Sequence, residues 1–222
     1  MATADQAHAA ERGQLEQGLA ALSLDAPPGA VDMLLTYTAE LRKWNRGYNL
    51  VSAADLPAFV HRHLLDSLAI LPWVATGQLL DVGTGAGLPG LPLAIVDPAL
   101  HCMLLDSAGK KTRFLGHVKR QLGLPNVEIV YMRVGDFQSD QPFDTITSRA
   151  FASLVDFARA VRHLCGPDTR LLAMKGRHPA DELEALPSWA HVYEVERIDV
   201  PGLQQTRHLV MMGVSPAGSV QA

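Results

Sequence analysis

The residues with the clearest chemical content are Leu79-Leu80-Asp81-Val82-Gly83-Thr84-Gly85-Ala86-Gly87-Leu88-Pro89-Gly90. A short apolar run ends in an acid, a glycine-dense turn follows, and the apolar stretch Leu91–Val96 begins a helix. Strand, glycine turn and helix form the nucleotide-binding corner of an open α/β sheet. Glycines suit that corner because the backbone turns sharply while a ligand packs against it. Gly85–Gly90 formally matches G-x-G-x-x-G, a weak signal by itself. A dinucleotide's pyrophosphate needs backbone N–H groups and the positive end of a helix. Pro89 has no N–H to give, and Asp81 would set a carboxylate beside a dianion. S-adenosylmethionine carries an ammonium and a sulfonium but no phosphate, and an acidic strand end suits it. Asp81, Gly83 and Gly85 are therefore candidate cofactor residues.

Further chemistry lies at the exits of the later strands. Asp106 follows Asp81 by 25 positions, where an acid accepts the ribose hydroxyls of a bound nucleoside. That spacing serves NAD as well, and Asp106 or Ser107 could equally cap a helix. Arg133-Val134-Gly135-Asp136-Phe137 lies where adenine would sit, with the Val134–Gly135 backbone or the Asp136 carboxylate facing the purine edge. Ser148-Arg149-Ala150-Phe151-Ala152 would face the transferred group. It contains neither an Asn-Pro-Pro-Tyr element for an exocyclic amine nor a Pro-Cys nucleophile for a pyrimidine carbon. It offers Arg149, a planar cation suited to a base edge or a phosphate, or else to a structural ion pair.

These residues need strand ends to hold them. From residue 79 strands and helices alternate: strands at 79–81, 101–106, 127–130, 144–147 and 170–174, with helices at about 108–122, 154–164 and 179–186. Such alternation predicts a parallel sheet covered on both faces. The last two strands, 191–198 and 207–212, bracket Pro201-Gly202 and should pair antiparallel as a hairpin. Ahead of the sheet, Leu15–Leu22 has helical spacing, residues 1–12 read as frayed, and Pro27-Pro28-Gly29 breaks the chain. A second helix runs from Ala30 to Gly47. The loop Trp44–Leu50 suits either ligand contact or a turn capped by Asn45 with Trp44 and Tyr48 in the core. A third amphipathic helix covers 55–71 and carries His63 on its apolar face, ending at Pro72. The organisation is one domain: helical cap 1–72, sheet core 73–212 and tail 213–222.

The 222 residues are 48% hydrophobic and 19% charged, the composition of an ordinary globule. No apolar run reaches membrane-spanning length and no secretory signal opens the chain, so a cytoplasmic protein is expected. Cys102 and Cys165, the only cysteines, suit neither a disulfide framework nor a zinc site. The formal net charge is −4, of which residues 1–30 carry −3, so the remainder is close to neutral. An RNA substrate would have to be held by a local patch.

The order Asp-Val-Gly-x-Gly-x-Gly resembles the first motif of Rossmann-like, class I S-adenosylmethionine-dependent methyltransferases. Seven blocks together are more specific: Trp44–Leu50, His63–Leu68, Asp81–Gly90, Leu104–Ser107, Ser148–Ala152, Lys175-Gly176 and Arg207–Val210. In this order they resemble the glucose-inhibited division protein B family, bacterial guanine-N7 methyltransferases of small-subunit rRNA, over roughly residues 30–212. The resemblance implies an α/β fold with a mostly parallel sheet, a C-terminal antiparallel hairpin and an N-terminal helical extension. It implies S-adenosylmethionine as methyl donor, S-adenosylhomocysteine as product and no metal. The substrate implied is one guanosine in the decoding region of 16S rRNA, free or within the small ribosomal subunit, acted on by a monomer. Its cofactor positions fall on Gly83, Leu88, Val134, Gly135 and Arg149. Many members have an acid where this chain has Gly135, so a backbone contact is expected there. Arg149, Lys175 and Arg207 are the candidate catalytic residues; Arg46, Arg133 and His208 join them as candidate RNA contacts. Guanine N7 has a lone pair and no proton, so positioning rather than a general base is the expected source of rate. A small-molecule methyltransferase would leave the strand-end cations unexplained. An S-adenosylmethionine sensor would not need Arg149 or Arg207. An NAD-dependent reductase would need a proton donor, and no Tyr-x-x-x-Lys element is present.

Overall fold

The structure, a computed structural model, describes residues 2–149 and 151–215, with side chains from residue 6. Its centre is a seven-stranded sheet of order β3-β2-β1-β4-β5-β7-β6. The strands are β1 (Gln78–Val82), β2 (His101–Asp106), β3 (Val127–Tyr131), β4 (Phe143–Ser148), β5 (Cys165–Lys175), β6 (Ala190–Ile198) and β7 (Arg207–Val214). The first five are parallel, whereas β7 runs antiparallel to both β5 and β6. The order reverses between β1 and β4, and in such sheets ligands bind outside the carboxyl ends of the strands at that point.

Alternation along the strands divides the core in two. Leu79, Leu104, Leu172 and Leu209 face one side, where α4 (Gly90–Val96), α5 (Gly109–Leu122) and the N-terminal helices cover them. Leu80, Val82, Ile146, Leu171 and Val210 face the other, against α6 (Leu154–Val161) and the stretch that includes α7 (Ala180–Glu184). The cap is therefore continuous with the first core: Leu15, Leu34, Tyr37, Leu64 and Leu65 are buried in the same cluster as Leu79.

Four local expectations change. Helix α1 runs unbroken over Ala2–Ala21, so residues 2–12 are helical rather than frayed. Its alanines favour helix, and Glu11 and Arg12 tie it to Arg42 and Asp32 of α2 (Ala30–Tyr48). Helix α2 continues to Tyr48, with Asn49 at φ 48° as its cap, instead of ending at Gly47. Asn45 is the turn's clasp: its side chain gives a hydrogen bond to Val51 O (3.1 Å) and takes one from Val51 N (2.9 Å). The single helix expected over 55–71 is instead a 3-10 turn (Ala53–Ala58), a π-helix (Val60–Leu65), a short α3 (Asp66–Leu68) and another 3-10 turn (Leu71–Trp73). Pro57 interrupts the first turn, and the wider π turn aims its side chains differently from a regular helix. Of the expected tail, Gly213 and Val214 belong to β7, and 216–222 lie outside the described residues.

Candidate active site

The glycine loop is held almost wholly by its own protein. Gly83 and Thr84 donate to Leu105 O, Gly85 to Asp106 Oδ2, Gly87 and Leu88 to Thr84 O, and Leu91 to Gly87 O. Pro89 has no N–H, so little remains to receive a pyrophosphate. Asp81 staples the loop from beneath: Oδ2 accepts from Thr84 Oγ1 (2.6 Å) and Gly90 N (2.8 Å). A Cβ on Gly90 would fall 2.4 Å from Leu104 Cδ2 and 2.9 Å from that Oδ2, so this helix start admits no side chain. Asp81 is fully buried, and burial pushes its carboxyl up to about 6 against those hydrogen bonds. Its Oδ1 has no partner among the described residues. A buried carboxylate oxygen left unmatched is a place for positive charge. From α2, the buried Tyr37 hydroxyl donates to Ala86 O (2.9 Å) and pins the loop from the cap side.

Beside the loop lies a groove of about 550 Å³ across the ends of β1, β2 and β3. Val82, Gly83, Leu105, Asp106, Met132 and Val134 line it, with Lys111, Arg133, Gly135 and Asp136 also reaching it. Asp106 accepts from Gly85 N (2.9 Å), Ala108 N (2.8 Å) and Lys111 Nζ (3.3 Å), which fixes its carboxylate at the groove wall. A Cβ at Gly135 would meet nothing within 4 Å, so this side of the groove is open.

On the other side of β4 a second cavity, about 350 Å³, lies among Asp55, Arg62, His63, Asp66, Arg149, Lys175 and Arg207. Its organising residue is the buried Asp66. Asp66 Oδ1 accepts from Arg207 Nε (2.9 Å), and Oδ2 lies 3.5 Å from Arg149 Nη1. Burial raises the Asp66 pKa while the two guanidiniums pull it back. Arg149 Nη1 also donates to His63 Nδ1 (3.1 Å). Because a guanidinium only donates, the His63 proton belongs on Nε2, 3.8 Å from Asp55 Oδ2. Burial, then the Arg149 cation, push His63 down to about 4, so the imidazole is neutral at physiological pH. Lys175 pairs with Glu182 (2.7 Å), whose same oxygen also accepts from Leu154 N. Lys175, Gly176 and Arg207 are shared with a wider opening that adds Arg177, Gln205 and Thr206.

The strand-loop-helix corner thus lies beside an open groove and a cavity in which arginines and a lysine are paired with Asp55, Asp66 and Glu182. The family model described as "GidB: rRNA small subunit methyltransferase G" matches residues 31–210. The chain belongs to this family. The "Ribosomal RNA small subunit methyltransferase G" of Pseudomonas aeruginosa is 51% identical over 215 residues, covering 96% of this chain and 98% of its own length. That of Marinobacter nauticus is 49% identical over 200 residues, covering 90% and 94%. Among solved structures, TrmN from Thermus thermophilus superposes with a TM-score of 0.55 at 17% identity, covering 70% of this chain and 53% of that one. A SAM-dependent methyltransferase from Aquifex aeolicus gives 0.53 at 18%, covering 79% and 97%. These likenesses show the class I methyltransferase fold.

Within this member of the small-subunit methyltransferase G family, the sequence-derived candidates divide by place. Gly83, Asp106, Val134 and Gly135 meet at the groove, with Arg133 at its rim rather than in the cationic cavity. Gly85 stands behind the wall, bonded to Asp106. Leu88 is buried in the core and Asp81 beneath the loop, so neither forms the groove's surface. Arg149, Lys175 and Arg207 come together in the cavity. His208 is next to Arg207 on β7, with its ring 5.5 Å from that of His178; burial, then His178, lower its pKa. Arg46 is exposed on α2 and lines neither cavity. Sequence reasoning missed Asp66, Tyr37 and Glu182. Asp66 was visible only as an acid following His63, and nothing local marked it as the partner of two arginines 83 and 141 positions away.

Proposed function

We propose that this enzyme transfers a methyl group to N7 of one guanosine in the decoding region of 16S rRNA. The observation that carries the reading is Arg149, which stands at the exit of β4 between the groove and a cavity bearing Arg62, Lys175 and Arg207. The groove suits S-adenosylmethionine: Asp106 can take the ribose hydroxyls and the Val134–Gly135 backbone the adenine edge, while Asp81, buried beneath the loop, adds negative charge behind it. Bound there, it supplies an electrophilic methyl group on a sulfonium. The protein's contribution is to orient the acceptor and exclude water. Guanine N7 loses no proton on methylation, so the neutral His63 acts as an acceptor that aims Arg149 rather than as a base. Arg149 Nη1 is held by His63 and Asp66, leaving its other edge for guanine O6 or a phosphate. Arg207 is held through Nε and Nη1, and Lys175, paired with Glu182, has N–H donors left for a phosphate oxygen. Orientation of this kind can supply about 7–11 kcal/mol.

The protein acts as a cytoplasmic monomer, and the rRNA is presented either free or in the small ribosomal subunit. No described helix is long and apolar enough to cross a membrane. Tritiated methyl transfer to purified small subunits, to free 16S rRNA and to small amines tests the reading. Label in rRNA alone is expected; label in the amines alone would overturn it.

A further inference from the structure

Helix α5 carries Lys110, Lys111, Arg113, Lys119 and Arg120 and no acid. The whole chain has a formal net charge of −4, so everything outside α5 carries −9. Two of these cations occupy the first turn, where the helix dipole disfavours positive charge, and the turn itself contains no acid. Lys111 is committed to Asp106 at the groove. Lys110, Arg113, His117 and Arg120, spaced 3, 4 and 3 apart, form one stripe along the helix. Lys110, Arg113 and Arg120 are exposed, and no carboxylate among the described residues pairs with them. His117 joins the stripe to α2: its Nε2 is 2.7 Å from Glu40, and its ring is 5.3 Å from that of Trp44.

The same helix is flanked by exposed aromatic rings. Among the described residues four large hydrophobic side chains are exposed: Tyr48, Tyr131, Met132 and Tyr193. The first three surround α5. Tyr48 stacks at 5.3 Å on Trp44, which itself packs on Phe114 and His117 of α5. Tyr131, 66% exposed, lays its ring against Gly109 at the helix start, 3.4 Å from where a Cβ would stand. Met132 faces the groove.

The geometry points to the α5 face, with Tyr131 and Tyr48 at its sides, as a docking surface for a strand of RNA outside the cavity that receives the target nucleotide. This rests on the rRNA reading and extends it to the substrate's flanking sequence. Lys110 to Arg120 spans about 15 Å at about 1.5 Å per residue, the length of a short run of nucleotides. Cations that track a backbone beside aromatic faces on which unpaired bases stack are the means of holding single-stranded nucleic acid. An acidic protein segment would use the cations but leave both tyrosines without a role. The surface borders the groove at Lys111, so a strand held there runs along the cofactor's side of the molecule while its neighbouring segment reaches the cavity.

The test uses the full chain with Arg113→Gln and Arg120→Gln together, and separately Tyr131→Ala. Glutamine keeps helix propensity, and neither arginine touches the groove or the cavity. Fluorescence anisotropy against a labelled single-stranded 16S rRNA fragment is followed over a salt series, beside KM, kcat and S-adenosylmethionine affinity. The arginine pair is expected to lower the magnitude of the salt slope by about 1.4 to 1.8, at about 0.7–0.9 per phosphate contact. It should raise KM for rRNA at least about tenfold with kcat and cofactor affinity unchanged. Tyr131→Ala should weaken RNA without changing the slope. An unchanged slope and KM in the arginine pair would overturn the surface, and so would a weakened binding whose slope stays at the wild-type value. Loss of affinity confined to assembled subunits, with free RNA bound as in wild type, would assign the face to a protein contact and overturn it as well. A wild-type protein that methylates no rRNA would instead sink the proposed function, a distinct result.

Discussion

Asp66 is the most informative single carboxylate to remove. Asp66→Asn keeps the size and one acceptor oxygen, which can still receive Arg207 Nε, now 2.9 Å away. The amide NH2 replaces the oxygen 3.5 Å from Arg149 Nη1 and cannot accept, so that guanidinium loses its carboxylate. Two cations once bridged by an anion are then left to repel each other. Breaking a fully buried pair costs about 3–5 kcal/mol. The Arg149 and Arg207 side chains retain 25% and 20% exposure, so water recovers part of this. A cost of about 2–4 kcal/mol follows, which for a chain of this length lowers Tm by roughly 5–15 °C. The single-turnover methylation rate should fall at least about tenfold, a decade being about 1.4 kcal/mol. S-adenosylmethionine affinity should stay within about twofold, because Asp66 lies in the cationic cavity and not in the groove. Calorimetry, thermal unfolding and rapid-quench kinetics measure these quantities. A cycle with Arg207→Gln should show coupling of at least about 1 kcal/mol. Additive effects, or a wild-type rate in folded Asp66→Asn, would refute the reasoning.

Arg149→Lys keeps charge but loses the planar fork, and should cut the single-turnover rate at least about tenfold; at saturating S-adenosylmethionine, wild-type rates from pH 6 to 8 should stay flat, since His63 titrates near 4, and a rise through pH 7 would reveal a base. Asp81, raised to about 6 when folded against about 3.9 unfolded, favours the fold below the lower value and loses that contribution as pH rises through 6. Asp81→Asn should therefore unfold no more readily than wild type at pH 8, by thermal melts. Wild-type cofactor affinity should climb from pH 5 to 7 as the carboxylate ionises, and the Asn variant should bind more weakly with a flat profile; titration calorimetry showing equal profiles would remove Asp81 from the site. Tyr37→Phe deletes only the bond to Ala86 O, worth about 0.5–1.5 kcal/mol, and should weaken cofactor binding several-fold while rRNA affinity holds.

The fold was legible wherever periodicity and punctuation agreed. Strands β1 to β4 fell within a residue or so of their expected bounds, and β1 and β2 are the two marked at their exits by acids, Asp81 and Asp106. Strand β5 was read as 170–174 but extends from Cys165, since Gly166-Pro167-Asp168 looks like a loop. The π-helix was unreadable, as its apolar spacing at Val60, Leu64 and Leu65 is also that of an α-helix. Of the cofactor candidates, Gly83, Asp106, Val134 and Gly135 line the groove, whereas Asp81, Gly85 and Leu88 stand behind it and Arg149 lies in the second cavity. What stayed hidden were long-range partnerships: Asp66 with Arg149 and Arg207, Tyr37 with Ala86, and Glu182 with Leu154. No local pattern encodes a contact made by tertiary packing. The loop Trp44–Leu50 had two even readings; Asn45 is buried and clasps Val51 and Trp44 packs on Phe114, as the structural reading expects, but Tyr48, placed in the core by that reading, is exposed.

The central claim is tested most directly by locating the methyl group in the product. 16S rRNA from a strain lacking this activity is treated with the purified enzyme and S-adenosylmethionine, then reduced and cleaved with aniline, which breaks the chain at N7-methylguanosine. One new cleavage in the decoding region, absent with folded Arg149→Lys at matched short times, is the expected result. Methyl incorporation without aniline-sensitive cleavage would place the group on another atom and contradict the account.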